Sequence, residues 1–278
     1  MDPFSKFSKP PTIYNSHHNT VTPTICNNMA PSDITLYTTR TPNGIKASIA
    51  LAELGLEYKL HPISFAKNEQ KEPWFLEINP NGRIPAISDK FEDGKPIHVF
   101  ESGSILQYLV DRYDTEHKIS YPRGTREYYD INSWVMWQMG GLGPMQGQAN
   151  HFFRYAPEKI QYGIDRYQNE TRRLYRVMDT HLAKSTSGYL VGDRVTIADI
   201  SCWGWVKSGS WAGIDLEEFP ALKTWLEKLR ARPAFEQGAD VPPATEEEKR
   251  PKTKEEEEKA AAEARAWIMK GQQEDAKK

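Results

Sequence analysis

The hydrophobic positions change their spacing along the chain, and those changes divide it. Met1 to Ser32 shows neither a helical nor a strand period and is rich in Ser, Thr, Pro and Asn, which predicts a disordered arm over 1–32. The stretch Ile34-Thr35-Leu36-Tyr37-Thr38 then alternates and is rich in β-formers, predicting a strand. Pro42-Asn43-Gly44 breaks it, and Ile45, Ile49, Ala52 and Leu56 recur at helical spacing, with Gly55 near the helix's C-terminal end. Glu57 to Ser64 reads as a second strand and Trp74 to Ile78 as a short helix stopped by Pro80. Ala86 to Ser88 and Ile97 to Phe100 follow as strands around a turn at Glu92-Asp93-Gly94. Ser102 to Tyr113 reads as a helix with Ile105, Leu106, Leu109 and Val110 inward. A crossover makes the first strand pair parallel, and the tight turn makes the last pair antiparallel. Residues 33–114 are therefore expected to form an α/β mixed-sheet domain, βαβ followed by two strands and a helix.

After a polar linker over 115–125 the strand signals nearly stop, so 126–241 reads as all-helical. Arg126 to Phe153 is Trp-rich, and Gly140-Gly141-Leu142-Gly143-Pro144 is expected to kink or interrupt it. Pro157 to Ala183, Ile197 to Gly213 and Pro220 to Arg230 supply further helices. Residues 242–278 are a Glu/Lys/Ala tract of good helix propensity whose apolar content is low until Ala264 to Met269. It reads as a solvated appendage, a single helix at most, with a docking tail as the functional alternative.

Composition narrows the function classes. With 278 residues, 38% of them hydrophobic, and eight Trp, there is enough apolar material for a globular core. A formal net charge of −2 gives no general attraction to DNA or anionic lipid, so neither nucleic acid nor a membrane is expected as a partner. No apolar run approaches the roughly 18–20 residues that span a bilayer. Cys26 and Cys202 cannot build a disulfide scaffold and lack zinc-ligand spacing, and His17-His18 has no third ligand nearby, so no metal is expected. The N-terminus lacks a secretory pattern, and a cytoplasmic, reducing setting is the default.

Three motifs carry chemistry. In Arg83-Ile84-Pro85-Ala86-Ile87 a proline leads into a strand, which it cannot serve as a ladder donor. A cis Ile84–Pro85 bond would turn the backbone of Ile84 outward to pair with an extended peptide ligand; a trans proline opening the strand is the alternative. In Phe100-Glu101-Ser102-Gly103-Ser104 a strand ends where a helix begins. The helix end suits a ligand carboxylate and Glu101 a ligand ammonium, together the two ends of an amino-acid headgroup; plain capping by Ser102 is the alternative. In Thr41-Pro42-Asn43-Gly44 a thiolate could accept hydrogen bonds from the Thr41 hydroxyl and from the Asn43 side chain or amide, although a plain turn has the same pattern. Lowering a thiol from about 8.5 by about two requires roughly 2.7 kcal/mol of selective stabilisation. A helix end supplies up to about 2 kcal/mol and a hydrogen bond to a charged group about 1.5–3 kcal/mol, so together they suffice.

In that order, Thr41-Pro42-Asn43-Gly44, then Asn79-Pro80-Asn81-Gly82-Arg83-Ile84-Pro85-Ala86-Ile87, then Phe100-Glu101-Ser102-Gly103, the sequence resembles the glutathione transferases. Three helical segments narrow the likeness: Trp137 to Met145, Arg166 to Thr171 and Thr196 to Trp203. They are similar to the Nu-class bacterial disulfide-bond oxidoreductases and to the fungal transferases akin to the yeast nitrogen regulator. The resemblance spans about Asp33 to Gln237 and implies a thioredoxin-like N-terminal domain, a helical C-terminal domain and a homodimer. It implies glutathione, reduced or as its disulfide, as co-substrate for a small electrophile or disulfide. Thr41 and Asn43 match the sulfur contacts, and Ile84, preceding cis-proline Pro85, matches the backbone pairing with the cysteinyl unit. Glu101 and Ser102 match the headgroup holders, and Gln70 and Arg166 further glutathione contacts. Thr196 and Asp199 match the folding box, where the two can cap reciprocally while Val195 staples onto Ile200. The second substrate is expected near Trp137, Met145, Phe152 and Phe153, though these could equally be helical core.

Two departures bear on the chemistry. Tyr37, inside its strand, reads as sheet packing and not as a catalytic hydroxyl, and positions 38 to 44 contain no cysteine. Cys202, beside Trp203, reads as a small buried apolar residue, so any thiol–disulfide chemistry must use glutathione's own sulfur. The competing reading is a catalytically weak transferase-fold regulatory or interaction protein. The yeast nitrogen regulator carries an Asn-rich arm on this fold, and the gamma subunit of a translation elongation factor attaches a charged segment to it.

Overall fold

The computed structural model describes residues 12–14, 32–250 and 253–276. The sheet contains β1 (Thr12–Tyr14), β2 (Thr35–Thr38), β3 (Tyr58–Pro62), β4 (Ala86–Lys90) and β5 (Pro96–Phe100), in the order β1-β3-β2-β4-β5. Helix α1 (Gly44–Leu54) crosses over between β2 and β3 and leaves them parallel, with Leu36 opposite Leu60. β4 runs antiparallel to both β2 and β5. The short α2 (Pro73–Leu76) precedes β4, and α3 (Ser102–Tyr113) follows β5. Gly55 adopts φ 68° just past α1, a left-handed stop that a Cβ would make costly.

β1 corrects the expectation of an arm without regular structure. Thr12–Tyr14 pairs antiparallel with β3, Ile13 opposite Lys59, and extends the sheet at that edge. Three residues are too few to show an alternating pattern, and backbone pairing needs none. The rest of the arm, including His17-His18 and Cys26, lies outside the described residues.

The helical half comprises α4 (Arg126–Trp137), α5 (Gly143–Asn150), α6 (Gln161–Leu182), α7 (Ile197–Lys207), α8 (Pro220–Arg230) and α9 (Pro233–Ala239). The glycine run does not break the path. A π-helical turn at Gln138–Leu142 carries α4 into α5, and Pro144 falls in the first turn of α5, where a missing N–H is tolerated. Thr196 and Asp199 form a capping box on α7. The fully buried Asp199 carboxylate also accepts from the Leu190 N–H at 3.0 Å and the Trp225 indole at 2.8 Å, so it ties three segments together.

The two halves share one core. α1 is buried along most of its length and packs on α7 and α9. A Cβ at Gly238 would lie 2.5 Å from the Ile49 Cα, so α9 approaches α1 this closely only because residue 238 lacks one. The polar connector is itself ordered: buried Asp114 accepts hydrogen bonds from the N–H groups of Lys118 and Ile119 and from the Ser120 hydroxyl.

The C-terminal tract forms α10 (Glu246–Lys249) and α11 (Lys254–Asp275). The helical expectation agrees with this, but the reading of a solvated appendage is corrected. Ala261 is buried, Arg265 donates to the Arg154 carbonyl at 3.0 Å, and the Trp267 ring stacks on Phe65 with centroids 5.1 Å apart. Among the described residues no helix is long and apolar enough to cross a membrane.

Candidate active site

The turn between β2 and α1 is held by α1's own N-terminus and by α7. Thr41 Oγ1 accepts the Gly44 N–H at 2.9 Å, occupying one of the donors that a helix start leaves without an intrahelical partner. That bond uses the hydroxyl as acceptor and leaves its proton to donate elsewhere. Asn43, at the N-cap position, makes no cap with its side chain. Its Oδ1 instead accepts from the Trp205 indole N–H at 2.9 Å. An indole nitrogen only donates, so it fixes the amide oxygen toward α7 and turns the amide nitrogen away from it. α7 comes this near because residue 204 is glycine; a Cβ there would lie 2.8 Å from the Pro42 carbonyl oxygen.

Beside this turn lies the loop ahead of β4. Asn79 Nδ2 donates to the Arg83 carbonyl at 2.6 Å, and Asn79 Oδ1 accepts the Asn81 N–H, bracing the loop from within. Gly82 adopts φ 60°, and a Cβ on it would meet the Gln70 carbonyl at 2.9 Å. The Ile84–Pro85 bond is cis, which decides between the two readings of that proline. Among the described residues nothing hydrogen-bonds to the backbone N–H or C=O of Ile84. Gln70, almost wholly buried, donates to Asn68 Oδ1 at 2.7 Å, but its Oε1 has no partner. Leaving such a buried acceptor unmet costs about 1–3 kcal/mol, so it marks a place where a ligand donor would be rewarded. Thr41, Asn43, Gln70 and Ile84 line one cavity of about 430 Å³, together with Phe65 and Trp267.

The third motif stands at the adjoining strand end. Ala86 pairs with Phe100, so Glu101 follows directly beside Ile84 and Pro85. Glu101 has φ 68°, a conformation that costs a non-glycine residue about 1–3 kcal/mol. Its exposed carboxylate lies 3.4 Å from Asn81 Nδ2. Ser102 does not cap α3: it is the first residue of the helix, and its Oγ accepts from Lys46 Nζ at 3.0 Å. Lys46 is completely buried and also donates to Gln138 Oε1 at 2.6 Å. Burial pushes its ammonium down to about 7, against the pull of nearby negative charge that includes Glu101. A basic group and the α3 dipole thus stand behind the same helix N-terminus, and both favour an anion in front of it.

Two family models match the chain, the glutathione S-transferase N-terminal domain over residues 32–111 and the C-terminal domain over 145–233. The disulfide-bond oxidoreductase YfcG of Escherichia coli is 45% identical over 206 residues, covering 73% of this chain and 93% of that protein. The chain belongs to the glutathione transferase family. Its fold is similar to that of a glutathione transferase homolog from Lodderomyces elongisporus solved with two GSH per subunit (TM-score 0.72, 47% identity, 76% of this chain and 99% of that one). It is also similar to the glutathione transferase URE2P6 from Phanerochaete chrysosporium in complex with oxidized glutathione (TM-score 0.70, 41% identity, 76% and 96%).

Within this transferase fold, several of the expected site residues do not line the cavity beside Thr41. Arg166 is exposed on α6 and, with Met145 and Tyr162, lines a separate hollow of about 660 Å³, away from the Thr41 cavity. Trp137 stands edge-on to Trp134 against the core, and Phe152 stacks on Tyr167 of α6. Phe153 lies under the cations of Arg154 and Lys159. None of the four expected substrate contacts lines the cavity beside Thr41: Trp137 and Phe152 are taken up by Trp134 and Tyr167, Phe153 by its neighbouring cations, and Met145 by the Arg166 hollow. Tyr37 packs against His61, Trp74 and Phe75, as a sheet residue does. Cys202 is buried, and burial pushes its thiol up to about 12, which leaves it inert as a nucleophile.

Other residues around this candidate site were not legible in the sequence. Lys46 lies on the polar-looking side of α1 with no signal of its own, and it is buried only where α3 and the π-helical turn at Gln138–Leu142 close over its ammonium. Trp205 is separated from Asn43 by 162 positions, and Trp267 lies in the tract read as solvated. The cluster Ala264 to Met269 was the one available signal for the latter.

Proposed function

We propose that this protein is a glutathione-dependent transferase and disulfide-bond oxidoreductase that holds glutathione as a thiolate at the N-terminus of α1. The observation that carries the reading is the gathering of Thr41, Asn43, Gln70 and Ile84 around one cavity, with Glu101 and Ser102 at the next strand end. Ile84 offers backbone groups to an extended peptide, and Glu101 offers a carboxylate to the γ-glutamyl ammonium. The first turn of α3, backed by Lys46, receives the γ-glutamyl carboxylate. Thr41 and Asn43 each present a donor at the sulfur end, beside the α1 dipole. These are the contributions that lower a thiol by about two, since roughly 2.7 kcal/mol is needed and a helix end with one charge-assisted bond supplies up to about 3.5–5 kcal/mol.

The thiolate attacks an electrophilic carbon, forming a C–S bond while the leaving group departs with the bonding pair. Alternatively it attacks a disulfide, forming a mixed disulfide and releasing one thiolate. A second glutathione then attacks the mixed disulfide, giving glutathione disulfide and the second thiol. Cys202 takes no part in either route. A homodimer in the cytoplasm is the setting that the family resemblance favours; sedimentation of the purified chain and its distribution on cell fractionation test those two points.

The deciding experiment is retention on immobilised glutathione, with the parent compared to Glu101→Ala. Loss of a charge-assisted bond worth about 1.5–3 kcal/mol predicts roughly 10- to 150-fold weaker binding in the variant. Equal retention of both would refute the headgroup assignment. Turnover of hydroxyethyl disulfide and of a chloronitrobenzene then separates the two chemistries, and no turnover of either would refute the enzymatic reading.

A further inference from the structure

Part of the wall of the cavity beside Thr41 comes from outside the two segments that the family models match. The family model for the helical domain ends at residue 233, whereas α11 begins at Lys254. The solved neighbours named above cover 76% of this chain while 96–99% of their own length is matched. Helix α11 nevertheless lines the cavity, with Trp267 and Ile268 facing the same space as Thr41 and Asn43.

Its placement is anchored along its length: Ala261 is buried and the Arg265 guanidinium donates to the Arg154 carbonyl at 3.0 Å, while in α10 Glu248 pairs with Arg40 at 2.8 Å. The Trp267 ring lies at 20° to the plane of Phe65, a stacked pair that fixes the indole's orientation. Even so, Trp267 remains 39% exposed, so apolar indole surface is left uncovered next to the cavity. The N-terminal turns of α11 are Glu-rich; its apolar residues cluster where it meets the cavity.

We infer that α11 forms a wall of the second-substrate site and that Trp267 is a specificity-determining residue, selecting small electrophiles that carry a planar apolar group. This rests on the proposed thiolate reading of the Thr41 turn. A flat aromatic substrate packs its face on the indole while its reactive carbon meets the sulfur, the C–S bond forming as the leaving anion departs. An aliphatic disulfide of similar size gains little from such a plate. The expected substrate contacts on α5 and after it fail to reach the cavity, and α11 supplies the apolar surface that they do not.

The test compares the full chain with Trp267→Ala and Trp267→Phe, using kcat/KM for a chloronitrobenzene and for hydroxyethyl disulfide. The aromatic-to-aliphatic ratio is expected to fall about tenfold in Trp267→Ala through a raised KM for the aromatic probe, and to recover most of that loss in Trp267→Phe. An unchanged ratio in Trp267→Ala, or a loss that phenylalanine fails to restore, would overturn the assignment. A parent chain that neither binds glutathione nor turns over either probe would strike the proposed function itself. A working parent with an unaltered ratio in the variants would strike only the role of Trp267.

Discussion

Replacing Lys46 by methionine tests the electrostatics behind the α3 N-terminus. In the folded chain the ammonium is out of water, held by Ser102 Oγ at 3.0 Å and Gln138 Oε1 at 2.6 Å, and burial lowers it from 10.5 to about 7. The unfolded chain keeps the ordinary value and so binds the additional proton between those two limits. Stability from this group is therefore complete only above about pH 10.5 and is lost progressively as pH falls toward about 7. Integrating the proton difference gives a rise of about 2 kcal/mol in unfolding free energy from about pH 7 to about pH 9, from this one group. Methionine fills similar space but leaves Gln138 Oε1 without its donor, a loss of about 1–3 kcal/mol, so Lys46→Met is expected to be the less stable protein at about pH 9. The gap should narrow by about 2 kcal/mol on going down to about pH 7, because only the parent weakens through Lys46. Urea unfolding of both chains at several pH values measures it, and other titrating groups cancel in the difference. Parallel stability curves would refute the buried, partly neutral lysine.

Two further outcomes follow from the same contacts. Trp205→Phe removes the donor that aims the Asn43 amide, and the pKa of bound glutathione, read from thiolate absorbance against pH, should rise by about 0.5–1; an unmoved titration would exclude this positioning role. Asp199→Ala leaves the Thr196 and Leu190 N–H groups and the Trp225 indole without their acceptor. Loss of about 3–5 kcal/mol in urea unfolding is expected, and a loss below about 1 kcal/mol would show that the box does not hold α7.

Features that depend on near neighbours along the chain could be read from residue order. Alternation at Ile34 to Thr38, the 3.6-residue recurrence through α1 and α3, and the Thr196–Asp199 spacing are local, so the βαβ-ββα order, the helical half and the capping box were legible. So was the turn at Thr41, whose hydroxyl reaches an N–H three residues on. The three-residue β1 was not legible, because an edge strand is defined by its partner. The burial of Lys46, the hold of the Trp205 indole on Asn43 and the turning of Arg166 toward a different hollow arise from packing between distant elements. So do the position of α11 beside the cavity and the absence of Phe152 and Phe153 from its lining. One cause is common to these cases: a side chain's hydrogen bonds and burial are set by which surfaces meet, and elements tens to hundreds of residues apart meet only in the folded chain.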